Sequence, residues 1–597
     1  MKLKTFITMC SLEKDTDFVR TSAASDRIQP VALLGAMLMS TAVTVTSAAE
    51  PAPPFPGVQA PETDGAELFT REWIPGDRRS HGGDGLGPVF NDSSCVACHN
   101  QGGTGGSGSA SKNVDIVTAF HAPANRHDQQ NSLPQVTLPG ILFQSVFGNL
   151  DHAGVRQRQI RNAETAAAAA ADDSEKKDDN GKTADAAEEA EAQKKEQAEL
   201  RKKMAAAERK FLARMHPGFA HSNSVVLHRD ATFQGYRQWR SRAGGMQFSF
   251  PLPQEQQTAI FEVEAAAVIK ATTAEATTAG AQRGQVQIAQ LRQEMQLNGS
   301  GHNQSQRQGA FVITKSQRNA TALFGAGFID SIPDTVLETL ATAQQKNPLI
   351  SGRVARLKDG RAGRFGWKAQ KSRLSDFVLT ACAVEVGLNV PGHPQAGHPL
   401  NPAYTPPGLD LNQAECNALI QYIAGLPAPP QRDFADDVER QYIQGGHALF
   451  TRVGCADCHV EKVGTVAGIF SDLLLHNMGP ELGDTGSYDV FIPDSTPAGQ
   501  TLPLASRTGQ SADQAGQKIV GATHQEWRTP PLWGIRDSGP YLHDGRAQTL
   551  AQAIALHGGE STQSTQKFFA LSDAEQFQVL SFMKSLVAPN QQTIATR

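Results

Sequence analysis

Cys95-Val-Ala-Cys98-His99 and Cys455-Ala-Asp-Cys458-His459 are two copies of one pattern, in which a histidine directly follows the second of two cysteines. Thiols at this spacing can each add to one of the two vinyl groups of a haem, and the adjacent histidine then reaches the iron. With 7 cysteines and 17 histidines in 597 residues, chance does not produce two copies. Neither a zinc site nor a redox C-x-x-C requires that histidine, and the β-α-β context of a thioredoxin is missing. The sequence therefore predicts two covalently attached c-type haems.

The composition is that of a globular protein without a nucleic-acid footprint. Hydrophobic residues make up 39% of the chain and glycine adds 54 positions, which is enough to bury a core. The 55 basic and 60 acidic residues leave a formal charge of −5, and the basic residues form no stripe. We therefore expect no nucleic-acid partner.

The N-terminus has the pattern of a secretory signal peptide. After Arg20 and Arg27, residues 31–45 read VALLGAMLMSTAVTV, and small residues follow up to Ala49. This pattern predicts a signal peptide over residues 1–49, with an uncleaved anchor as the alternative because the segment before it is long. No second stretch of about eighteen apolar residues follows, so no membrane span is expected after cleavage. Because c-type haem is attached outside the cytoplasm, we expect a periplasmic or otherwise exported bacterial protein.

Short runs with apolar residues at helical spacing, such as LNQAECNALIQYIAGL and SDAEQFQVLSFMKSLV, predict a mainly α fold with long loops. No strand-rich sheet is indicated. We predict an N-terminal haem domain over residues 65–430, closed by the proline-rich LPAPP, and a C-terminal one over residues 440–590. The first domain carries two insertions. The alanine-, glutamate- and lysine-rich tract at about 162–210 is expected to be disordered or a solvated helix, and the tract at about 254–308 is expected to be helical.

The chain also repeats itself. GAELFTREW upstream of Cys95 parallels GGHALFTRVG upstream of Cys455, and RNATALFG from Arg318 parallels RTPPLWG from Arg528. Each of the latter leads to an arginine–glycine element, GRFGWKAQKSRL in the first half and HDGRAQTL in the second. Such self-similarity indicates two halves that each wrap one haem.

Four of these stretches together resemble a known family. HDGRAQTLAQAIALHGGE, GRFGWKAQ, GLGPVFNDSSCVACH and SDLLLHNMGPELGD resemble the di-haem oxidoreductases of secreted bacterial proteins, sometimes labelled thiol oxidoreductases, which are similar to bacterial di-haem cytochrome c peroxidases. The resemblance covers about residues 65–587 apart from the insertions. It implies two α-helical cytochrome c-like domains with their haems near a shared interface.

The resemblance also implies ligands for the haem of the second motif, beyond the motif's own His459. In the peroxidase relatives, a PY-x-H-(D/S)-G pattern is followed fourteen residues after its histidine by the distal ligand. Here Pro540 begins PYLHDG, and His557 stands at that spacing. Met478 in LLLHNMGPELGD is the rival, and a third alternative is that neither residue binds iron. A histidine pair would hold the iron low-spin and at lower potential than a histidine–methionine pair.

For the haem of the first motif, whose own ligand is His99, the resemblance implies catalytic residues. Glu385, in a local E-x-G pattern, matches a glutamate that would move the protons of peroxide. Trp367 lies in the equivalent of the segment that passes between the haems in those relatives, which makes it a candidate electron-relay residue. His121 and His228 are further candidates for the sixth iron ligand. A calcium ion between the domains is also implied, but no D-x-[DN]-x-[DN]-G loop occurs.

Three functions are compatible with these residues. The first is a periplasmic di-haem oxidoreductase that takes electrons from a small redox protein and reduces peroxide or carries out a related oxidation. The second is an electron-transfer cytochrome without substrate chemistry, and the third an assembly protein that uses its charged tract as a docking arm. Cys382 and Cys416 remain after haem attachment, and an oxidising compartment favours a disulfide between them.

Overall fold

The computed structural model describes residues 64–121, 209–243, 279–298, 304–308, 311–486 and 521–590, with a few helical positions between 195 and 207. The predicted signal peptide lies outside these residues. So do most of the tract at 162–210 and the first part of the tract at 254–308.

Helices make up most of the regular structure, and the mainly α prediction is confirmed in part. Three helices begin with a capping box, in which the N-cap side chain and the third helical side chain exchange hydrogen bonds with the main chain. The helices are α1 Gly65–Thr70, α2 Cys95–Cys98, α3 Tyr236–Ala243, α4 Ala279–Asn298, α5 Ala326–Asp330, α6 Asp334–Gln344, α7 Leu374–Val384, α8 Gln413–Ala424, α9 Asp437–Arg452, α10 Leu550–Ala555, α11 Thr562–Ala570 and α12 Asp573–Lys584.

A four-stranded antiparallel sheet is the feature that the sequence analysis did not predict. The strands are β1 Val89–Phe90, β2 Val114–His121, β3 Ser224–Leu227, β4 Asp230–Ala231, β5 Gln304–Gln308, β6 Phe311–Arg318, β7 Lys462–Val463, β8 Val466–Ala467, β9 Leu475–Asn477 and β10 Glu526–Arg528. The sheet has the order β3-β2-β6-β5, and its register pairs Val114 with Arg318. The partners of β2 come from distant parts of the chain, so no hairpin signal next to β2 marks its pairing. By contrast, β5 and β6 are neighbours in the sequence and pair with Gln308 opposite Phe311.

The two halves of the chain each contribute a helical core. Apolar side chains of α1, α5, α6, α7 and α8 pack together around the first half, and those of α9, α10, α11 and α12 pack in the second. The first core also takes in Val463, Ile469 and Trp533, so the halves are packed against one another. The predicted domain boundaries stay a prediction.

The predicted Cys382–Cys416 disulfide is wrong. Both cysteines are free, on α7 and α8, and are 2% and 0% exposed within the first core. A buried thiol behaves as a small apolar side chain, and burial raises the pKa of Cys416 to about 12. These cysteines therefore fill the core instead of cross-linking it.

The tract at 254–308 is helical where α4 crosses the second half of the chain, and it ends in strand β5. Arg292 donates to the carbonyl of Ala555 at 2.8 Å. A Cβ on Gly284 would lie 2.5 Å from the carbonyl oxygen of Phe569, so a glycine is needed for α4 to approach α11. None of the helices in the described ranges is long and apolar enough to cross a membrane.

Candidate functional site

The first motif occupies the short helix α2 and the turn after it. Ser94 caps the helix by accepting from the amide of Ala97. The Nδ1 atom of His99 lies 3.1 Å from the carbonyl oxygen of Gly106, and the carbonyl of Thr321 also faces the ring. Burial lowers the pKa of His99, so its imidazole is neutral, as an iron ligand must be.

The second motif forms a tight turn that begins after Gly454. The Nδ1 atom of His459 lies 2.9 Å from the carbonyl oxygen of Phe470, and burial lowers the pKa of His459 to about 4. Phe470 has a φ of 48°, a left-handed conformation that is costly for a phenylalanine. This strained backbone presents the carbonyl that orients His459.

The residues of both motifs fit a haem. In each, a main-chain carbonyl holds Nδ1 of the histidine, which makes Nε2 the nitrogen available to iron. The repeated phenylalanines lie at matching positions, because the rings of Phe69 and His99 are 6.5 Å apart and those of Phe450 and His459 are 6.4 Å apart. The repeat seen in the sequence is therefore also a repeat in structure.

A largely apolar cavity of about 270 Å³ runs from the second motif towards residues 319–324. His459, His557 and Met478 all line it. His557 has its Nδ1 atom 2.8 Å from the carbonyl oxygen of Ala553, the same arrangement as in the two motif histidines. The sulfur of Met478 is 4.0 Å from the hydroxyl of Ser561. The structure thus brings both candidate ligands to the cavity that holds His459, and the choice between them stays a prediction.

The end of the cavity near residues 319–324 is built from aromatic side chains. Trp367 lies there and donates from Nε1 to the carbonyl of Asn319 at 2.9 Å. The ring of His543 is 6.4 Å from that of Trp367 and stacks at 3.9 Å on Trp527. The ammonium of Lys368 lies 3.7 Å from the centre of the Trp527 ring. His543 belongs to the PYLHDG stretch, and no role for it was predicted from the sequence.

A buried ionic cluster lies beside Cys458. His476 is 2.9 Å from a carboxylate oxygen of Asp472 and 2.9 Å from one of Glu560. Burial opposes a charge on His476, but Cys458 and Asp472 raise its pKa well above the usual value. Cys458, Asp472 and His476 are also the one group of possible metal ligands in the described parts of the chain. Because calcium takes oxygen ligands, this group does not support the calcium ion that the resemblance implies.

Glu385 lies beside the first motif. Its carboxylate accepts from the side-chain amide of Asn91 at 2.6 Å. Burial first, and then the carboxylates of Asp92 and Glu385, raise the pKa of Cys98 to about 12. Glu385 is therefore near the place where the first haem would be attached.

Of the two further histidine candidates, His228 is engaged elsewhere, and of His121 the structure describes only the main chain. His228 is 4% exposed, and its Nε2 atom lies 2.9 Å from the carbonyl oxygen of Val384. His121 ends β2 and pairs there with Phe311.

The loops that precede α7 and α10 share several backbone features at a constant offset in the sequence. The corresponding features are the bridges Phe365–Lys371 and Tyr541–Ala547, and the left-handed residues Gly366 and Leu542, Ala369 and Gly545. The N-cap residues Arg373 and Thr549 both have a φ of −127°, with ψ values of 145° and 156°. The two halves can therefore be aligned in this region with a constant offset.

This alignment pairs residues that differ in chemistry. Trp367 corresponds to His543, which explains why both lie at the same end of the cavity. Counted along the sequence at the same offset, eight residues after the N-cap, the second half has His557, just beyond the end of α10, and the first half has Ala381, within α7. Four residues further on, Glu385 corresponds to Ser561. The first half, which has Ala381 in place of a histidine, therefore has the carboxylate of Glu385.

Part of the chain is similar to known proteins. The family described as "Di-haem oxidoreductase, putative peroxidase" matches residues 300–586, which include the second motif. The methylamine utilization protein MauG of Methylorubrum extorquens is 29% identical over 150 residues, 24% of this chain and 34% of that protein. The cytochrome-c peroxidase IdrP2 of a Pseudomonas species is 28% identical over 186 residues, 28% of this chain and 47% of that protein.

The chain thus spans about a third to a half of the length of these curated relatives. Among solved structures, hydrazine synthase of Kuenenia stuttgartiensis matches with a TM-score of 0.25 and 22% identity, covering 45% of this chain and 73% of that chain. Residues 300–586, with the second motif and most of the cavity wall, match the di-haem oxidoreductase family, which confirms the resemblance inferred from the sequence motifs.

Proposed function

We propose that the protein is an exported di-haem c-type cytochrome that passes electrons from a small redox protein to peroxide or a related small substrate. The covalent haems would be held by Cys95, Cys98 and His99 in the first half. In the second half, Cys455, Cys458 and His459 would hold the other haem. When bound, each haem supplies one electron, and together they match the two-electron reduction of peroxide to water.

The observation that carries this proposal is the difference between His557 and Ala381 in the aligned halves. His557 lines the same cavity as His459, with Nδ1 held by a carbonyl and Nε2 available as a second ligand. Ala381 has no atom that can bind iron. On this basis we assign electron storage to the second half and substrate binding to the first half, where Ala381 supplies no ligand to the iron.

Glu385 supplies the acid–base group on the side where the ligand is missing. Reduction of peroxide requires a proton to leave one oxygen and to be delivered to the departing one. The hydrogen bond from Asn91 fixes one carboxylate oxygen of Glu385 near Cys98. Ser561, at the aligned position of the second half, cannot act as a base at neutral pH.

Trp367 is proposed as the connection between the halves. It lines the cavity that contains His459, and its indole is fixed by the carbonyl of Asn319, two residues before Thr321. The carbonyl of Thr321 faces His99. An indole at this place shortens the distance over which an electron must pass between the two sites.

The comparisons support the chemistry and the sequence supports the location. One relative is named a cytochrome-c peroxidase, which favours peroxide as the substrate. Export is supported by the signal-peptide pattern of residues 1–49 and by the two haem-attachment motifs.

The experiment is to add a ligand where the structure has none. In the haem-loaded protein, Ala381→His should convert the first haem to a six-coordinate, low-spin form and abolish its response to hydrogen peroxide. The measurement is electron paramagnetic resonance and absorption spectroscopy with and without peroxide, with haem content determined on the same samples. Two low-spin haems that ignore peroxide in the unmodified protein would instead identify an electron carrier.

A second variant tests the acid–base role. Glu385→Gln should leave the haem spectra unchanged and slow peroxide reduction by about 10²–10⁴-fold, the usual contribution of such a group. Glu461→Gln is the matched control, because Glu461 follows the second motif and its side chain is 62% exposed. Equal rates in the two variants would remove Glu385 from the mechanism.

A further inference from the structure

Arg528 is a buried cation that lines the cavity, and no carboxylate of the described residues pairs with it. It belongs to β10, is 5% exposed and forms part of the cavity wall. Its Nε atom donates to the carbonyl of Gly366 at 3.0 Å. Across the described ranges, the two terminal nitrogens of its guanidinium have no hydrogen-bond or ion-pair partner.

The other buried arginines differ from Arg528 in this respect. Arg318, which is 4% exposed, forms a two-point ion pair with Asp484 at 2.6 and 3.0 Å. Arg364, which is 5% exposed, pairs with Asp334. A guanidinium taken out of water without a counter-ion is costly, and its planar fork matches a carboxylate. The unpaired fork of Arg528 therefore points to an anion that the described residues do not supply.

Among the described residues, the nearby carboxylate does not neutralise the charge of Arg528. Burial lowers the pKa of Arg528 to about 10, and Asp472 is the carboxylate that opposes the shift. Asp472, however, is already bonded to His476 at 2.9 Å and to the side-chain amide of Gln344 at 2.6 Å.

The rest of the cavity wall indicates what kind of anion fits. The lining is mostly apolar, and it includes the side chains of Leu532, Trp533 and Phe450. A ligand for this space has a broad apolar body and a carboxylate at its edge. The haem predicted on the second motif has this combination, because its flat ring carries two propionates.

We propose that Arg528 binds a propionate carboxylate of the haem held by Cys455, Cys458 and His459. This inference rests on the proposed attachment of that haem, and it does not depend on peroxide being the substrate. The guanidinium places a positive charge beside the ring, where it disfavours the ferric form and so raises the reduction potential.

The test is a redox titration of the intact haem-loaded protein, with the two haems followed separately in the absorption spectrum. Arg528→Gln should shift the ferric–ferrous equilibrium of the second haem towards the ferric form by at least tenfold, which is about 59 mV for one electron. The first haem should not change. Arg528→Lys, which keeps the charge and loses the fork, should give a smaller shift.

Arg536→Gln is the matched control. It removes the same charge eight residues away, from a side chain that is 45% exposed and pairs with Asp537. Arg536→Gln should shift the ferric–ferrous equilibrium of the second haem by less than twofold. An equal shift in Arg528→Gln and Arg536→Gln would overturn the proposal.

Two further outcomes are decisive. If inorganic phosphate shifts the second haem in the unmodified protein but not in Arg528→Gln, the arginine binds a free anion and the propionate assignment is wrong. If Arg528→Gln does not retain the second haem, Arg528→Lys becomes the test variant, and a potential equal to that of the unmodified protein would overturn the role of the fork. Because peroxide turnover is not a readout, failure of the proposed activity would be seen separately.

Discussion

Two adjacent glycines on α9 should differ in how much their replacement by alanine changes the stability of the protein. A Cβ on Gly446 would lie 2.2 Å from the main-chain oxygen of Gln578 and 3.0 Å from the Cβ of Phe582. Both atoms belong to α12, so the two helices must separate. A Cβ on Gly445 would meet the Nε2 atom of Gln578, also at 2.2 Å, but this is the end of a flexible side chain.

The change in the free energy of unfolding depends on whether main-chain atoms or only a flexible side chain must move. Overpacking that shifts backbone costs about 1–3 kcal/mol, and alanine in a helix recovers about 1 kcal/mol relative to glycine. Gly446→Ala should therefore lower the free energy of unfolding by up to about 2 kcal/mol. In Gly445→Ala, Gln578 swings away and loses its bond to the carbonyl of Tyr442, which costs about 1 kcal/mol. That loss cancels the propensity gain, so the net change is near zero.

The assay is thermal unfolding of the haem-loaded protein, followed by far-ultraviolet circular dichroism and by the haem absorption band. A loss of about 2 kcal/mol corresponds to a fall of about 4–8 °C for a domain of this size class. Gly445→Ala should melt within about 1 °C of the unmodified protein on the same scale. If both variants melt together, the close approach of α9 and α12 does not govern the stability of the second half.

Two further predictions concern an ion pair and an iron ligand. Burial raises the pKa of Glu526, but Arg353, at 2.5 Å, overcomes this and holds it at about 2 instead of 4.5. This pair should stabilise the protein by about 3 kcal/mol above pH 4.5 and lose that contribution as the pH falls towards 2. Denaturant unfolding at several pH values should show this loss in the unmodified protein and not in Glu526→Gln, and parallel curves would contradict it. His557→Ala should convert the second haem from low-spin to high-spin while Met478→Ala leaves it unchanged, and the reverse result in electron paramagnetic resonance would assign the ligand to Met478.

The structural features that could be predicted from the sequence depend on interactions between residues close to one another in the chain. The C-x-x-C-H spacing, the capping boxes and the amphipathic helices involve residues within a few positions of one another. The repeat was also visible in the sequence, and the paired rings at Phe69–His99 and Phe450–His459 follow it. These features could be predicted because each depends on local geometry.

The pairing of β2 in the four-stranded sheet could not be predicted from local sequence patterns. Strand β2 has the apolar and β-branched pattern of a strand, yet its partners β3 and β6 lie far along the chain. Without a hairpin turn, nothing near β2 indicates what it pairs with. The free cysteines are a similar case, since whether Cys382 and Cys416 cross-link depends on how α7 packs against α8.

By itself, the sequence determined the two haem-attachment motifs, the mainly helical character, the internal repeat and the resemblance that the family match confirmed over residues 300–586. Only the tertiary structure showed that His557 and Met478 share the wall of one cavity and that Arg528 is buried there with no counter-ion among the described residues. It also gave the matching loops before α7 and α10, whose offset along the sequence pairs His557 with Ala381. The physical reason is that covalent spacing and helix periodicity act over a few residues, whereas burial and charge pairing depend on contacts between distant parts of the chain.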